Sequence, residues 1–190
     1  MDIQKQIQDL LSRGFVKLSN GAKKMRELQA EFLAGEVRSE IEHIEPYGFS
    51  SEPITDGKAE AFAMFPDGNR SNGLVFCVAD RRYRIVNMQS GEVAIFDDQG
   101  QKVYLQRSGI LLETPKNLTA KVGGSTTLTS GGNVDITAPQ TNIHGPLTVD
   151  GPISGKSGMT ITGGDVTADG ISLKGHVHTG DSGGTTGTAR

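Results

Sequence analysis

The chain has 190 residues and a formal net charge of -3, room for one ordinary domain with an appendage and no cationic footprint for nucleic acid. Its opening, MDIQKQIQDLLSRG, carries charges and glutamines where a secretory signal has its apolar core. No later run approaches the roughly 18 apolar residues of a membrane helix, so a chain made and kept in solution is expected.

In chain order, Ile3, Ile7, Leu10 and Leu11 recur at helical spacing, which predicts a short amphipathic helix or arm over residues 1–12. Residues 13–108 read as a β domain. Strand-prone runs cover Gly14–Leu18, Met25–Leu33, Glu60–Phe65, Gly73–Val78, Tyr83–Val86, Glu92–Phe96 and Lys102–Leu105. Phe65-Pro66-Asp67-Gly68-Asn69 and Asp97-Asp98-Gln99-Gly100 are turn sequences, the second a hairpin connection. Short strands, regular turns and ten aromatic residues suit a five-stranded, OB-like barrel. Cys77 is the sole cysteine, which excludes an intrachain disulfide; within Leu74–Val78 it reads as a small buried hydrophobe.

Composition breaks near Gly109. All ten aromatics lie at or before Tyr104, whereas 15 of 16 threonines and 17 of 26 glycines lie at or after Gly109. Units such as Asn133–Thr137, Leu147–Asp150 and Thr160–Thr162 alternate one apolar residue with one Thr, Asp or Asn, and Gly-Gly, Gly-Pro and Asp-Gly punctuate them. Disorder is the alternative for so much Gly, Ser and Thr, but a flexible linker has no need of Val or Ile at every other site. One such chain cannot bury a thin apolar stripe or pair its own edges. Three copies about a common axis can, so residues 109–174 are expected to form a trimeric, intertwined β-helix.

Residues 175–190 hold the candidate chemistry. The string Gly180-Asp181-Ser182-Gly183-Gly184 matches the surroundings of a serine-protease nucleophile, yet Ser182 lies eight residues from the C-terminus. The other histidines, His43 and His144, lack the context of a general base, so a hydrolase is disfavoured. His176 and His178 share one face of an extended strand, about 6–7 Å apart. One chain's pair is an incomplete metal site. Three chains supply six imidazoles in two stacked rings, which suits Fe(II), Ni(II) or Co(II) better than tetrahedral zinc, with iron the expected occupant on availability. Asp181 is a candidate acceptor for an imidazole N–H. Asp135, Asp150 and Asp165 recur every 15 residues and are expected to face solvent, a ring of three carboxylates near the axis being the calcium alternative. Arg81, Arg82 and Arg84 flank Tyr83, but fold alone does not make this cluster a nucleic-acid site.

The order of parts, with Pro46–Pro53 (PYGFSSEP), Asp80–Arg84 (DRRYR), Gly91–Ala94 (GEVA) and the terminal H-x-H, resembles the central spikes of contractile-tailed bacteriophages, Mu-type branch. The resemblance covers essentially the whole chain. It implies a homotrimer whose OB domains dock on the tail hub at the virion baseplate, assembled in the host cytoplasm. It further implies contraction-driven passage of the β-helix through the host outer membrane, with one iron per trimer on His176 and His178. No enzyme module is present to help, so penetration would be mechanical. A trimeric tail-fibre or secretion-spike binding module is the alternative reading.

Overall fold

Alternating small and large apolar residues in the first eighty positions build a barrel. The computed structural model describes residues 10–66 and 69–188. Strands β1 (Leu11–Asn20), β2 (Arg26–Glu31), β3 (Val37–His43), β4 (Glu60–Met64) and β5 (Leu74–Ala79) close in the order β1-β2-β3-β5-β4. Neighbours run antiparallel except β3 with β5. The core is Val16, Leu28, Ala30, Phe32, Ile41, Ala59, Ala61, Ala63, Phe65 and Val75. Alanines at 59, 61 and 63 leave room on the inner wall for the two phenylalanines, whose rings meet edge-to-face at 5.4 Å. Arg70 covers the Phe65 ring at 4.3 Å while its guanidinium binds Glu36.

The barrel departs from the sequence expectation in three places. β3, Val-Arg-Ser-Glu-Ile-Glu-His, has little apolar signal, and a bulge opposite Leu28–Ala30 breaks its alternation, with Glu40 at φ 58°. Tyr83–Val86 forms no strand: Asp80 accepts a bond from the Arg82 amide, and Asp80 and Asp56 bind its guanidinium, so turn chemistry overrides β-propensity. Cys77 is exposed rather than buried. The β4–β5 register pairs Phe62 with Cys77 and Ala63 with Val75, so Phe76 is an extra residue that reverses the alternation and turns Cys77 outward. The N-terminal helix expectation lies outside the described residues up to residue 9, and Leu11 and Ser12 open β1. Asp67 and Gly68 of the first turn also lie outside them.

β6 (Val93–Phe96), β7 (Lys102–Gln106) and β8 (Gly109–Glu113) form a separate antiparallel meander, although β6 and β7 fall within the stretch expected for the barrel. The Asp97 turn connects β6 to β7 as expected, its carboxylate accepting from the Gln99 and Gln101 amides. The register puts Val93, Leu105 and Ile110 in one row and Ile95, Val103 and Leu112 in the next, on one exposed face.

The chain divides between Ser125 and Thr126 into two compact units. Residues 114–166 are extended or bent and, among the described residues, those from 115 to 165 make no backbone–backbone hydrogen bond within the chain. Regular pairing resumes in β9 (Thr167–Ala168) and β10 (Ile171–Ser172). The named strands make the described chain all-β, the class expected from the sequence.

Two measurements check the barrel. Phe65 is fully buried, so Phe65→Ala is expected to cost about 3–5 kcal/mol in denaturant unfolding. His43 is 5% exposed, and its Nδ1 has no hydrogen-bond partner. Burial chiefly holds its pKa below the ordinary 6.5; Glu45 opposes this and Arg26 reinforces it. The folded ring is therefore neutral where the unfolded one takes up a proton. His43's contribution to stability is complete above about pH 6.5 and is lost as pH falls toward the folded-state pKa. The carboxylates of Glu45 and Glu52, with lowered pKa values, lose theirs only below about pH 4.5. Unfolding midpoints between pH 8 and pH 5 should decline in the natural chain and flatten in His43→Gln; equal slopes would remove His43 from the account.

Candidate functional site

The local sequence Asp165-Val-Thr-Ala-Asp-Gly-Ile-Ser-Leu-Lys174 builds the base of the site. Asp169 and Gly170 take positive φ, 48° and 83°, as a two-residue hairpin loop with the right-handed twist requires. Pairing of Thr167 with Ser172 and Ala168 with Ile171 follows, and the Leu173 amide donates to the Val166 carbonyl at 2.7 Å. That register brings Asp165 opposite Lys174. Its Oδ1 accepts from the Val166 and Lys174 amides at 2.8 and 3.1 Å, and its Oδ2 accepts from the Ser172 hydroxyl. The Ser172 hydroxyl foremost, then those amides, hold the Asp165 carboxyl below its ordinary pKa. Ser172 Oγ also accepts from the Gly175 amide at 2.7 Å.

His176 follows directly. Its Nδ1 lies 3.1 Å from the Ser172 carbonyl oxygen and 3.0 Å from that of Leu173. Two carbonyls can be satisfied only by an N–H, so Nδ1 carries the proton and, in the neutral ring, Nε2 keeps the lone pair. The His178 ring stands 5.1 Å from that of His176, centroid to centroid, and nearly perpendicular to it. The main chain of His178 is held by the returning tail: its amide donates to Thr186 Oγ1 at 2.8 Å, and the Thr186 amide donates to its carbonyl at 2.9 Å. Thr179 pairs with Thr185.

The protease-like string is the turn of that return. The Gly180 amide donates to the Gly184 carbonyl and Gly183 takes φ 78°. A Cβ on Gly180 would meet the Gly184 oxygen at 3.1 Å, which accounts for a residue without a side chain there. Ser182 donates to the adjacent Asp181 at 3.1 Å. Asp181 thus serves Ser182, and the acceptors of the His176 N–H are main-chain carbonyls.

The two sequence-predicted ligands are brought together, but by themselves. Among the described residues no group of three or more His, Cys, Asp or Glu side chains is arranged to hold a metal ion. One chain offers two imidazoles, the first with Nε2 free to coordinate; that donor set fits a metal shared between chains. Asp135 and Asp150 are exposed, as expected, and so is His144. Asp165 is exposed too, but its oxygens are engaged within the chain. The roles of Asp165, Ser172 and Thr186 escaped the sequence reading. Asp169-Gly170 was the available signal for the first two, since a two-residue turn there places 165 across from 174. In the first unit, Arg81 binds Glu60, and Arg82 binds Asp56 and Asp80, so these cations are matched by carboxylates on the protein itself.

Comparison with known proteins adds the following. Residues 13–82 match the family model described as Bacteriophage Mu Gp45, N-terminal, and residues 170–190 match the GpV Apex motif. The baseplate puncturing device gp45 of Escherichia phage Mu is 31% identical over 189 residues, covering 97% of this chain and 91% of that protein. The Mu-like prophage FluMu protein gp45 of Haemophilus influenzae is 27% identical over 176 residues, covering 93% and 90%.

The turn assignment of residues 180–184 has a direct check. A serine-reactive fluorophosphonate is expected to leave the chain unlabelled, with no difference between the natural protein and Ser182→Ala; labelling that Ser182→Ala abolishes would restore Ser182 as a nucleophile.

Proposed function

This chain belongs to the family of the phage Mu baseplate puncturing device, and on that premise we propose that it is a tail-tip spike that sits at the virion baseplate and pierces the host outer membrane mechanically. The observation that carries this reading is the stretch from 114 to 166. It is extended, it lacks internal backbone pairing, and it leaves Leu128, Ile136, Leu147, Ile153 and Met159 each more than 60% exposed. Ordering a residue costs about 1–2 kcal/mol of backbone entropy, which exposed apolar side chains and solvated peptide groups do not offset. Other copies of the same chain supply what is missing: edges for the backbone and an apolar axis for the stripe.

Three copies are the number that completes the terminal site. The positions His176 and His178 of each chain would then hold one iron ion between them. Such an ion, when bound, supplies a structural cross-link among three chain ends and leaves no open coordination position for catalysis. The chain's own residues orient the donors: Ser172 and Leu173 fix the His176 tautomer and Thr186 fixes the His178 main chain. Asp135 and Asp150 of each chain are the carboxylates that a further axial calcium ion would use. The closed barrel β1–β5 is read as an OB-like domain that docks on the tail hub protein, and the pairing of Arg81 with Glu60 and of Arg82 with Asp56 and Asp80 weighs against a nucleic-acid partner.

Absolute mass and metal content in solution test the reading together. Three chains and about one iron per trimer are expected. His178→Ala should lose the iron and keep the barrel's unfolding transition. A metal-free monomer would refute the assembly, and full iron retention in His178→Ala would refute the ligands.

A further inference from the structure

We propose that Asp165 and Ser172 are positioning residues for the metal ligand His176, a clamp that sets which ring nitrogen is free; the proposal rests on the iron reading given above. Four hydrogen bonds converge on the clamp. Asp165 takes the Ser172 hydroxyl and the Val166 and Lys174 amides, and Ser172 Oγ takes the Gly175 amide. Every residue from 172 to 175 is thereby pinned, Leu173 through its amide on Val166. Pinning aims two carbonyls, of Ser172 and Leu173, at the same side of the His176 ring, 3.1 and 3.0 Å from Nδ1. The Ser172 carbonyl also takes the His176 amide at 3.1 Å, so ring and main chain are referred to one oxygen.

A free neutral histidine distributes its proton between both nitrogens. Here the Nδ1–H form is selected and the rotation of the ring is fixed before any metal arrives. Metal-bound imidazoles depend on such outer partners, whose loss typically weakens affinity about 10–100-fold. Gly175 belongs to the device, because a Cβ there would stand 3.1 Å from Ser172 Oγ.

The test uses the full-length chain and two readouts. In protein stripped of metal by a chelator, nitrogen-15 NMR of the histidine rings should show His176 with its proton on Nδ1. Asp165→Ala and Ser172→Ala should shift it toward the mixed population, and Ser172→Thr, which keeps the hydroxyl, should restore the natural pattern. Protein reloaded with Fe(II) should release iron to excess chelator roughly 10-fold faster in the two alanine variants than in the natural chain or Ser172→Thr. Solution mass identifies any variant that has failed to assemble. A His176 proton on Nε2 in the natural chain, or equal tautomer and release in all four proteins, overturns the clamp. If the natural chain takes up no iron while the tautomer still depends on Asp165, the clamp stands and the iron reading falls.

Discussion

Between Thr114 and Val166 the peptide groups find no backbone partner within the chain. In an extended chain rich in threonine and glycine water can meet that demand, but nothing within the single chain then offsets the entropy lost on holding the segment in one conformation. The alternation of Val, Ile and Leu through it places every apolar side chain where it gains nothing from a lone chain. On the reading proposed above, order in this region is a property of several chains. The rest of the molecule fits that dependence: a closed barrel precedes the segment, and after it comes a hairpin carrying two imidazoles, one third of the proposed site.

The two ends of the chain solve opposite problems. The barrel closes its strands on each other, and several of its charged side chains are paired within it, as Arg70 is with Glu36 and Arg82 with Asp56 and Asp80. The terminal hairpin has almost no apolar interior, and small residues let hydrogen bonds take over the work of packing. Between them, the β6–β8 meander is intermediate in character: its own ladder is complete, yet one face carries six exposed aliphatic side chains. Self-sufficiency declines along the sequence.

Legibility followed the same gradient. Strands whose apolar residues alternate, such as β4 with Ala61 and Ala63 inward, could be read from their period. β3 could not, because a bulge at Glu40 interrupts its alternation and four of its seven residues carry ionisable side chains. The assignment of Cys77 failed for the same reason: one inserted residue inverts every later facing, and nothing in Leu-Val-Phe-Cys-Val announces the insertion. The H-x-H pair was visible because its chemistry is distinctive. The side chains that aim it were not, because an aspartate and a serine in a Gly/Thr-rich stretch look like solvated surface until the Asp169-Gly170 turn folds them together.

The inversion at Phe76 has a practical side. It places the chain's sole thiol on the outer wall of the barrel, one per copy and remote in sequence from the histidine pair. A nitroxide or fluorophore attached at Cys77 therefore marks a single defined point on each barrel. In any ring of identical subunits those marks form the corners of a regular polygon, and the length of its side is a ruler for the radius at which the barrels are held.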